Sequence, residues 1–138
     1  MEKTFQATAD GFTIKAIVQV IGKDLLIALT GGDAPHIGTV TWAAKDSPSE
    51  TTRFPSHHGR FHKDDVLSTI VLEHISSLLP GNCVITAGVH VNGITKEQIK
   101  ASFRLADKIG QEIQAWLPTV DFSLPEVIYA NYSQKEQD

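Results

Sequence analysis

The sequence predicts an α+β domain in which two long helices pack on one mainly antiparallel sheet of about five strands. Two kinds of periodicity lead to this fold class. Apolar and polar residues alternate in several segments, which is typical of half-buried strands, whereas two later segments repeat their apolar residues at helical spacing. The predicted order is four strands, a helix, a strand and a second helix. A chain of 138 residues can bury one core, so residues 1–138 are expected to form a single domain.

Four strands are predicted in the first third of the chain. Alternation is clearest over Phe12–Ile21, and turn residues on both sides of this segment predict flanking strands at Phe5–Ala9 and Leu25–Thr30. A glycine-rich loop over residues 31–38 then leads to a fourth predicted strand at Thr39–Ala44. The sheet is therefore expected to begin as an antiparallel meander of three strands.

The middle of the chain is predicted to contain a long loop, a helix and the fifth strand. Residues 45–62 include two prolines and show little periodicity, which indicates a loop. Apolar residues then recur at helical spacing from about Lys63 to a stop signal at Pro80-Gly81. Alternation returns over Cys83–Val91, which predicts a strand.

The second helix has a clear start and end in the sequence. Thr95 and Gln98 fit a capping box, Ile94 and Ile99 occupy the positions of a hydrophobic staple, and Pro118 marks the end. The apolar stripe predicted for this helix consists of Ile99, Phe103, Ala106, Ile109, Ile113 and Leu117.

Composition excludes several classes of protein. Twelve lysines and arginines against sixteen acidic residues give a formal charge of −4, which disfavours a broad basic surface for nucleic acid. The single cysteine, Cys83, cannot form a disulfide framework within the chain. The N-terminus lacks the features of a signal peptide, and no apolar run approaches the ~18 residues of a membrane span. We therefore expect a soluble cytoplasmic protein whose last residues, 129–138, are frayed.

Histidines and cations are concentrated between Arg53 and Asp65, just before the first predicted helix. Backbone N–H groups at a helix N-terminus are unsatisfied donors, so Arg60, His62 and Lys63 beside such an end would suit a phosphate group. The stretch is also typical of a solvated polar loop whose charge is neutralised by neighbouring carboxylates. The residues alone leave both interpretations open.

The same stretch has a third interpretation as a metal site. His57, His58 and His62, with a carboxylate such as Asp64, have the chemistry of zinc ligands. However, Gly59 disfavours the helix that would align His58 with His62, and no metal-binding signature such as H-E-x-x-H is present. A metal-dependent enzyme that uses this cluster is the alternative hypothesis.

Two further histidines lie beside turn residues. His36 belongs to the glycine-rich loop, which matches neither the P-loop nor the dinucleotide-binding fingerprint. His90 lies on the polar side of its predicted strand, close to Asn92. Each is a candidate binding residue, and each is equally typical of a histidine satisfied by neighbouring backbone groups.

Several short motifs, taken together and in this order, resemble the LpdD-like prenylated-flavin chaperones, the small D subunits associated with gallate decarboxylase. Each motif is short, but the combination covers most of the chain. The matching segments are Val20–Ile27, Thr30–Gly32 with Pro35–Gly38, Phe54–His57 with Gly59–Asp64, and Ile85–Asn92 followed by Ile94-Thr95.

The resemblance implies a non-catalytic accessory protein rather than an enzyme. Such a protein would hold reduced prenylated FMN as cargo and help to load it into a UbiD-type decarboxylase that acts on gallate or protocatechuate. It also implies a fold similar to proteasome-assembly chaperone domains, a homodimer, and a UbiX-type flavin prenyltransferase as a further partner. A decarboxylase assembly subunit that binds no small molecule is a third hypothesis.

The resemblance also implies roles for the polar residues noted above. Arg60, His62 and Lys63 would receive the flavin phosphate, because a dianion is best bound by several charged donors. His36 and the backbone at Ile37-Gly38 would meet polar atoms of the ring or ribityl chain. The implied binding site consists of His36, Ile37, Gly38, His58, Arg60, His62, Lys63, His90 and Asn92.

Overall fold

The computed structural model describes residues 1–55 and 64–131, and it has the predicted α+β architecture. The strands are β1 (Glu2–Ala9), β2 (Phe12–Ile21), β3 (Asp24–Gly32), β4 (Thr39–Ala43), β5 (Glu50–Arg53) and β6 (Cys83–His90). The helices are α1 (Asp65–Ile75) and α2 (Lys96–Trp116), each followed by a short 3-10 turn. Residues 120–131 run on without a helix or strand.

The strands form one sheet in the order β1-β2-β3-β6-β4-β5. The pair β3 and β6 is parallel, and the other four neighbouring pairs are antiparallel. The predicted mainly antiparallel sheet is therefore confirmed, although it has six strands. Because β3 and β6 are parallel, their last residues, Gly32 and His90, are partners at the same end of the sheet. We call this end the C-terminal edge.

The core lies between one face of the sheet and the two helices. Strand β2 shows the alternation that the sequence predicts, since Ile14, Ala16 and Val18 are fully buried and the side chains between them are not. The helices contact each other, and α1 lies over β4 and β6 while α2 lies over β1 and β2. A polar contact joins the helices at their surface, where His74 Nε2 lies 2.7 Å from Asp107 Oδ1.

The prediction of a continuous loop over residues 45–62 is wrong at Glu50–Arg53, which form strand β5. All four residues of β5 are exposed, so the segment has no alternation of burial and no strand signal in the sequence. Its place comes from pairing with β4, which includes a 2.9 Å contact between the hydroxyls of Thr41 and Thr51. The glycine-rich loop also differs from the prediction, because Gly31 and Gly32 are the last residues of β3.

The predicted helices occur, with two corrections. Helix α1 ends at Ile75, and a 3-10 turn occupies part of the segment predicted to continue to Pro80. On α2, Ile99 and Phe103 are 41% and 39% exposed and do not belong to the buried stripe. The buried residues of α2 are Ala101, Ser102, Leu105, Ala106, Ile109, Gly110 and Ile113.

The predicted capping box at the start of α2 is confirmed. The Thr95 hydroxyl accepts the N–H of Gln98 at 3.1 Å, and the Gln98 side-chain oxygen accepts the N–H of Thr95 at 3.0 Å. We expect Thr95→Ala to lower the free energy of unfolding by about 1 kcal/mol, because it leaves a helix N–H without its acceptor. Urea unfolding measures this loss, and Thr4→Ala on β1, where the threonine is exposed, is the control. An equal effect of the two substitutions would contradict the role of the cap.

Candidate functional site

The loop over residues 33–38 lies along the end of β6 and forms the base of the candidate site. Four of its backbone N–H groups donate to β6. Asp33 N and Ala34 N donate to His90 O at 2.6 and 3.3 Å, His36 N donates to Gly88 O at 3.4 Å, and Gly38 N donates to Ala87 O at 2.8 Å. The loop therefore continues the sheet pairing beyond the start of β4 rather than standing away from the surface.

Gly88 allows this close approach. A Cβ atom at position 88 would overlap the backbone carbonyl of His36 and would also lie 3.0 Å from Cγ of the His36 ring. Gly32 has a φ of 76°, and a Cβ there would overlap the carbonyl of His90. Glycine at these two positions is thus a steric requirement of the C-terminal edge.

The ring of His36 is oriented by two neighbours. Its Nδ1 lies 2.9 Å from the carbonyl oxygen of Ala34, which only accepts, so Nδ1–H is the donor. Its Nε2 faces Asp64 Oδ2 at 3.7 Å. The other carboxylate oxygen of Asp64 accepts the N–H of Val89 on β6 at 3.1 Å. Asp64 precedes α1 directly, so this carboxylate links the helix start to both the loop and the strand.

An ion pair fastens α1 to the edge strand β5. Arg53, the last residue of β5, donates to both carboxylate oxygens of Asp65, at 3.2 Å from Nε and 2.9 Å from Nη2. This hydrogen bonding, together with the opposite charge, raises the pKa of Arg53 above its ordinary value and keeps the guanidinium charged. The next residue, Phe54, donates its N–H to Gly38 O at 2.9 Å. The chain thus reaches residue 55 beside the loop over residues 33–38.

His90 and Asn92 are also brought to this edge. The Nε2–H of His90 donates to Asn92 Oδ1 at 2.9 Å, and the Asn92 N–H donates to Asp33 Oδ2 at 2.8 Å. Asp33 therefore ties the beginning of the loop to the segment that follows β6. The His90 side chain is exposed and remains accessible to a ligand.

The structure brings together five of the predicted site residues: His36, Ile37, Gly38, His90 and Asn92. The other four, His58, Arg60, His62 and Lys63, lie outside the described residues, as does His57 of the alternative metal cluster. The flanking residues Phe54 and Asp64 both lie at the C-terminal edge. Within residues 1–55 and 64–131, no three histidine, cysteine or acidic side chains are arranged to hold a metal ion.

Comparisons with known proteins identify the family. A profile described as the prenylated flavin chaperone LpdD-like domain matches residues 8–118. The chain belongs to this family. Protein LpdD of Lactiplantibacillus plantarum is 46% identical over 134 residues, which cover 97% of both chains. As a member of a chaperone family, the protein is a non-catalytic accessory protein rather than an enzyme.

A solved structure of a chaperone complex for yeast 20S proteasome assembly is also similar to this chain. The match covers 86% of this chain and 96% of that one, with a TM-score of 0.46 and 17% sequence identity. In the described part of this family member, no helix is long and apolar enough to cross a membrane.

The sequence assigned no role in flavin binding to four residues that shape this edge. Asp33, Arg53 and Asp64 hold its parts together, and Phe54 offers an apolar surface. The adjacent acidic pair before α1 is an ordinary helix-start pattern in sequence. Only the fold shows that the two carboxylates reach different strands.

The exposed surface of the edge has both apolar and polar parts. Ile37 and Phe54 are 59% and 47% exposed, and each adjoins the backbone contact between Phe54 and Gly38. Apolar side chains with a few convergent polar groups are the usual lining of a small-molecule site. An open depression also lies at the opposite end of the sheet, between the β2–β3 turn and residues 122–127, but none of the predicted site residues lines it.

Proposed function

We propose that the protein binds reduced prenylated FMN as cargo at the C-terminal edge and delivers it to a UbiD-type decarboxylase of hydroxylated benzoates such as gallate or protocatechuate. Family membership supports the prenylated flavin as the cargo. We assign the cargo to this edge because His36, His90 and Asn92 come together there with the loop over residues 33–38.

The described residues fit the ring end of this cargo. Ile37 and Phe54 supply exposed apolar surface, and His90 supplies an accessible polar group. Among the described residues of the edge, Arg53 is already bound to Asp65. The proposal therefore assigns the flavin phosphate to Arg60, His62 and Lys63, and it includes His58 among the binding residues.

The proposal also includes the partners that a carrier requires. A UbiX-type flavin prenyltransferase would supply the cargo, the decarboxylase would receive it, and the exchange would take place in the cytoplasm between these enzymes and a homodimer of this chain. Release is as necessary as capture, so binding of moderate affinity is expected. The apolar side chains left exposed on the sheet, such as Trp42 at 45%, support association with another protein surface.

Anaerobic binding tests the proposal directly. Purified protein is mixed with reduced prenylated FMN or with ordinary reduced FMN, and gel filtration with native mass spectrometry reports what is retained and at what stoichiometry. Retention of the prenylated form on a dimer is the expected result. Retention of a metal without either flavin would favour the metal enzyme, and binding of nothing would favour an assembly subunit without a ligand.

We expect Arg60→Ala to weaken the binding of reduced prenylated FMN by about ten- to a hundredfold, because a phosphate loses one charged donor. Anaerobic fluorescence titration measures the dissociation constant. Lys23→Ala, at the turn before β3 and the opposite end of the sheet, removes the same charge and is the control. Equal affinity of the Arg60 variant and the wild type would remove the phosphate assignment.

A further inference from the structure

The first turn of α1 is fastened to the sheet by two adjacent carboxylates that reach different strands. Asp65 binds Arg53 on β5, whereas Asp64 binds the Val89 N–H on β6. Strand β5 is an exposed strand at the margin of the sheet, but β6 lies in the interior between β3 and β4. Asp64 therefore adds a polar contact between the start of α1 and the middle of the sheet, beside the apolar packing of α1 on β4 and β6.

Asp64 occupies the N-cap position of α1 but its side chain does not cap this helix. Aspartate is common at this position because its side chain accepts an N–H of the first helical turn. In this structure, no backbone N–H of the first turn of α1 donates a capping hydrogen bond to the Asp64 side chain. One carboxylate oxygen instead accepts the Val89 N–H, at 3.1 Å.

Val89 requires such an acceptor because of the way β4 begins. The first residue of β4, Thr39, is paired with Ala87, so no residue of β4 stands opposite Val89. A partly buried N–H without an acceptor is costly, since the group has lost its water. The Asp64 carboxylate supplies the acceptor that the ladder does not provide.

The second oxygen of the same carboxylate faces the loop over residues 33–38. Asp64 Oδ2 lies 3.7 Å from Nε2 of His36, whose Nδ1–H is held by Ala34 O. One side chain therefore contacts β6 and the loop while it stands at the start of α1. These are the three parts of the fold that meet at the candidate site.

We propose that Asp64 is a positioning residue of the site: it sets the first turn of α1 against the end of β6 and the His36 loop, and affinity for the cargo depends on this arrangement. The part of this inference that concerns affinity for the cargo rests on the proposed function. Its structural part concerns contacts within the free protein and is tested without any ligand.

Asp64→Ser is the sharpest test. Serine is also a good N-cap residue, so it preserves the start of α1, but its single short hydroxyl does not replace two carboxylate oxygens. We expect amide hydrogen exchange at Val89 to accelerate at least about tenfold, with exchange at Ile85 on the same strand unchanged. The dissociation constant for reduced prenylated FMN is expected to rise about tenfold.

Two matched variants separate positioning from general damage. Asp64→Asn keeps an oxygen acceptor and nearly the same shape, so Val89 exchange and cargo affinity should stay within about threefold of the wild type. Glu73→Ala removes an exposed carboxylate from the same helix, away from the edge, and should also stay within about threefold. In a double-mutant cycle, the effects of Asp64→Ser and His36→Ala on affinity should be less than additive, because the two side chains face each other and part of each effect passes through that contact.

Three results would overturn the inference: Val89 exchange unchanged in the serine variant, faster exchange with unchanged cargo affinity, or equal losses of affinity in the Asp64→Ser and Glu73→Ala variants. Failure of the wild type to bind reduced prenylated FMN is a different result and refutes the proposed function. In that case, Val89 exchange and the coupling of Asp64 to His36 in urea unfolding decide whether Asp64 holds these parts together.

Discussion

Replacing Gly88 with alanine is expected to lower the free energy of unfolding by about 3 kcal/mol or more, with loss of the binding edge. The added Cβ would overlap the backbone carbonyl of His36. A backbone group cannot rotate away as a long side chain can, so the loop over residues 33–38 must leave β6. The hydrogen bonds that His36 and Gly38 donate to β6 would then be lost or lengthened. Urea unfolding gives the stability, and amide exchange at positions 36 and 38 reports on the loop.

Gly93→Ala is the matched control for this prediction. Gly93 has a φ of 59° but no atom within 4 Å of the site of a Cβ, so alanine there is strained without a clash. A loss of about 1 kcal/mol is expected from the left-handed backbone alone. If Gly88→Ala were no more costly than Gly93→Ala, the close approach of the loop to β6 would not be a feature of the folded protein.

The fold could be predicted from sequence where a local pattern determines the structure. The alternation of β2 is reproduced residue by residue in its burial, and the contact between Thr95 and Gln98 is formed as a capping box. Both patterns depend on residues close together in the chain, where spacing alone fixes which side chains share a face or a turn. Elements with such patterns can be located without knowledge of their neighbours.

Strand β5 could not be predicted, because its structure comes from pairing with another strand. Its side chains are exposed on both faces, so no apolar residue marks either one. The pairing of Trp42 with Glu50 and of Thr39 with Arg53 places it beside β4. A strand at the margin of a sheet needs hydrogen bonds on one side only, and a polar sequence is tolerated there.

The candidate site shows the same distinction between local and distant information. His36, His90 and Asn92 were predicted as site residues, and the parallel pairing of β3 with β6 brings them to one edge. The positioning role of Asp64 has no local signal, because its partner Val89 is 25 residues away. The sequence therefore indicates polar groups that share the candidate site, but not the contacts that hold them in place.

Cys83 is expected to react with a thiol reagent at pH 8 at least about a thousandfold more slowly in the native protein than in urea. It begins β6 and is 1% exposed, and burial raises the pKa of its thiol from 9.0 to about 12. The thiolate is the reactive form, so at pH 8 the native state holds about a thousandfold less of it than an exposed cysteine does. Absorbance at 412 nm with Ellman's reagent follows the reaction.

The chain contains one cysteine, so the native labelling rate reports on a single position in β6. Strand β6 lies between β3 and β4 and carries Val89 and His90 at its other end, so slow labelling means that the strand supporting the site seldom opens. Cys83→Ala combined with Ser77→Cys moves the thiol to an exposed position after α1 and should restore fast labelling in the folded state. If native Cys83 reacted within about tenfold of the rate in urea, β6 would open readily, and an edge built on its end would be too loosely held to position a cargo.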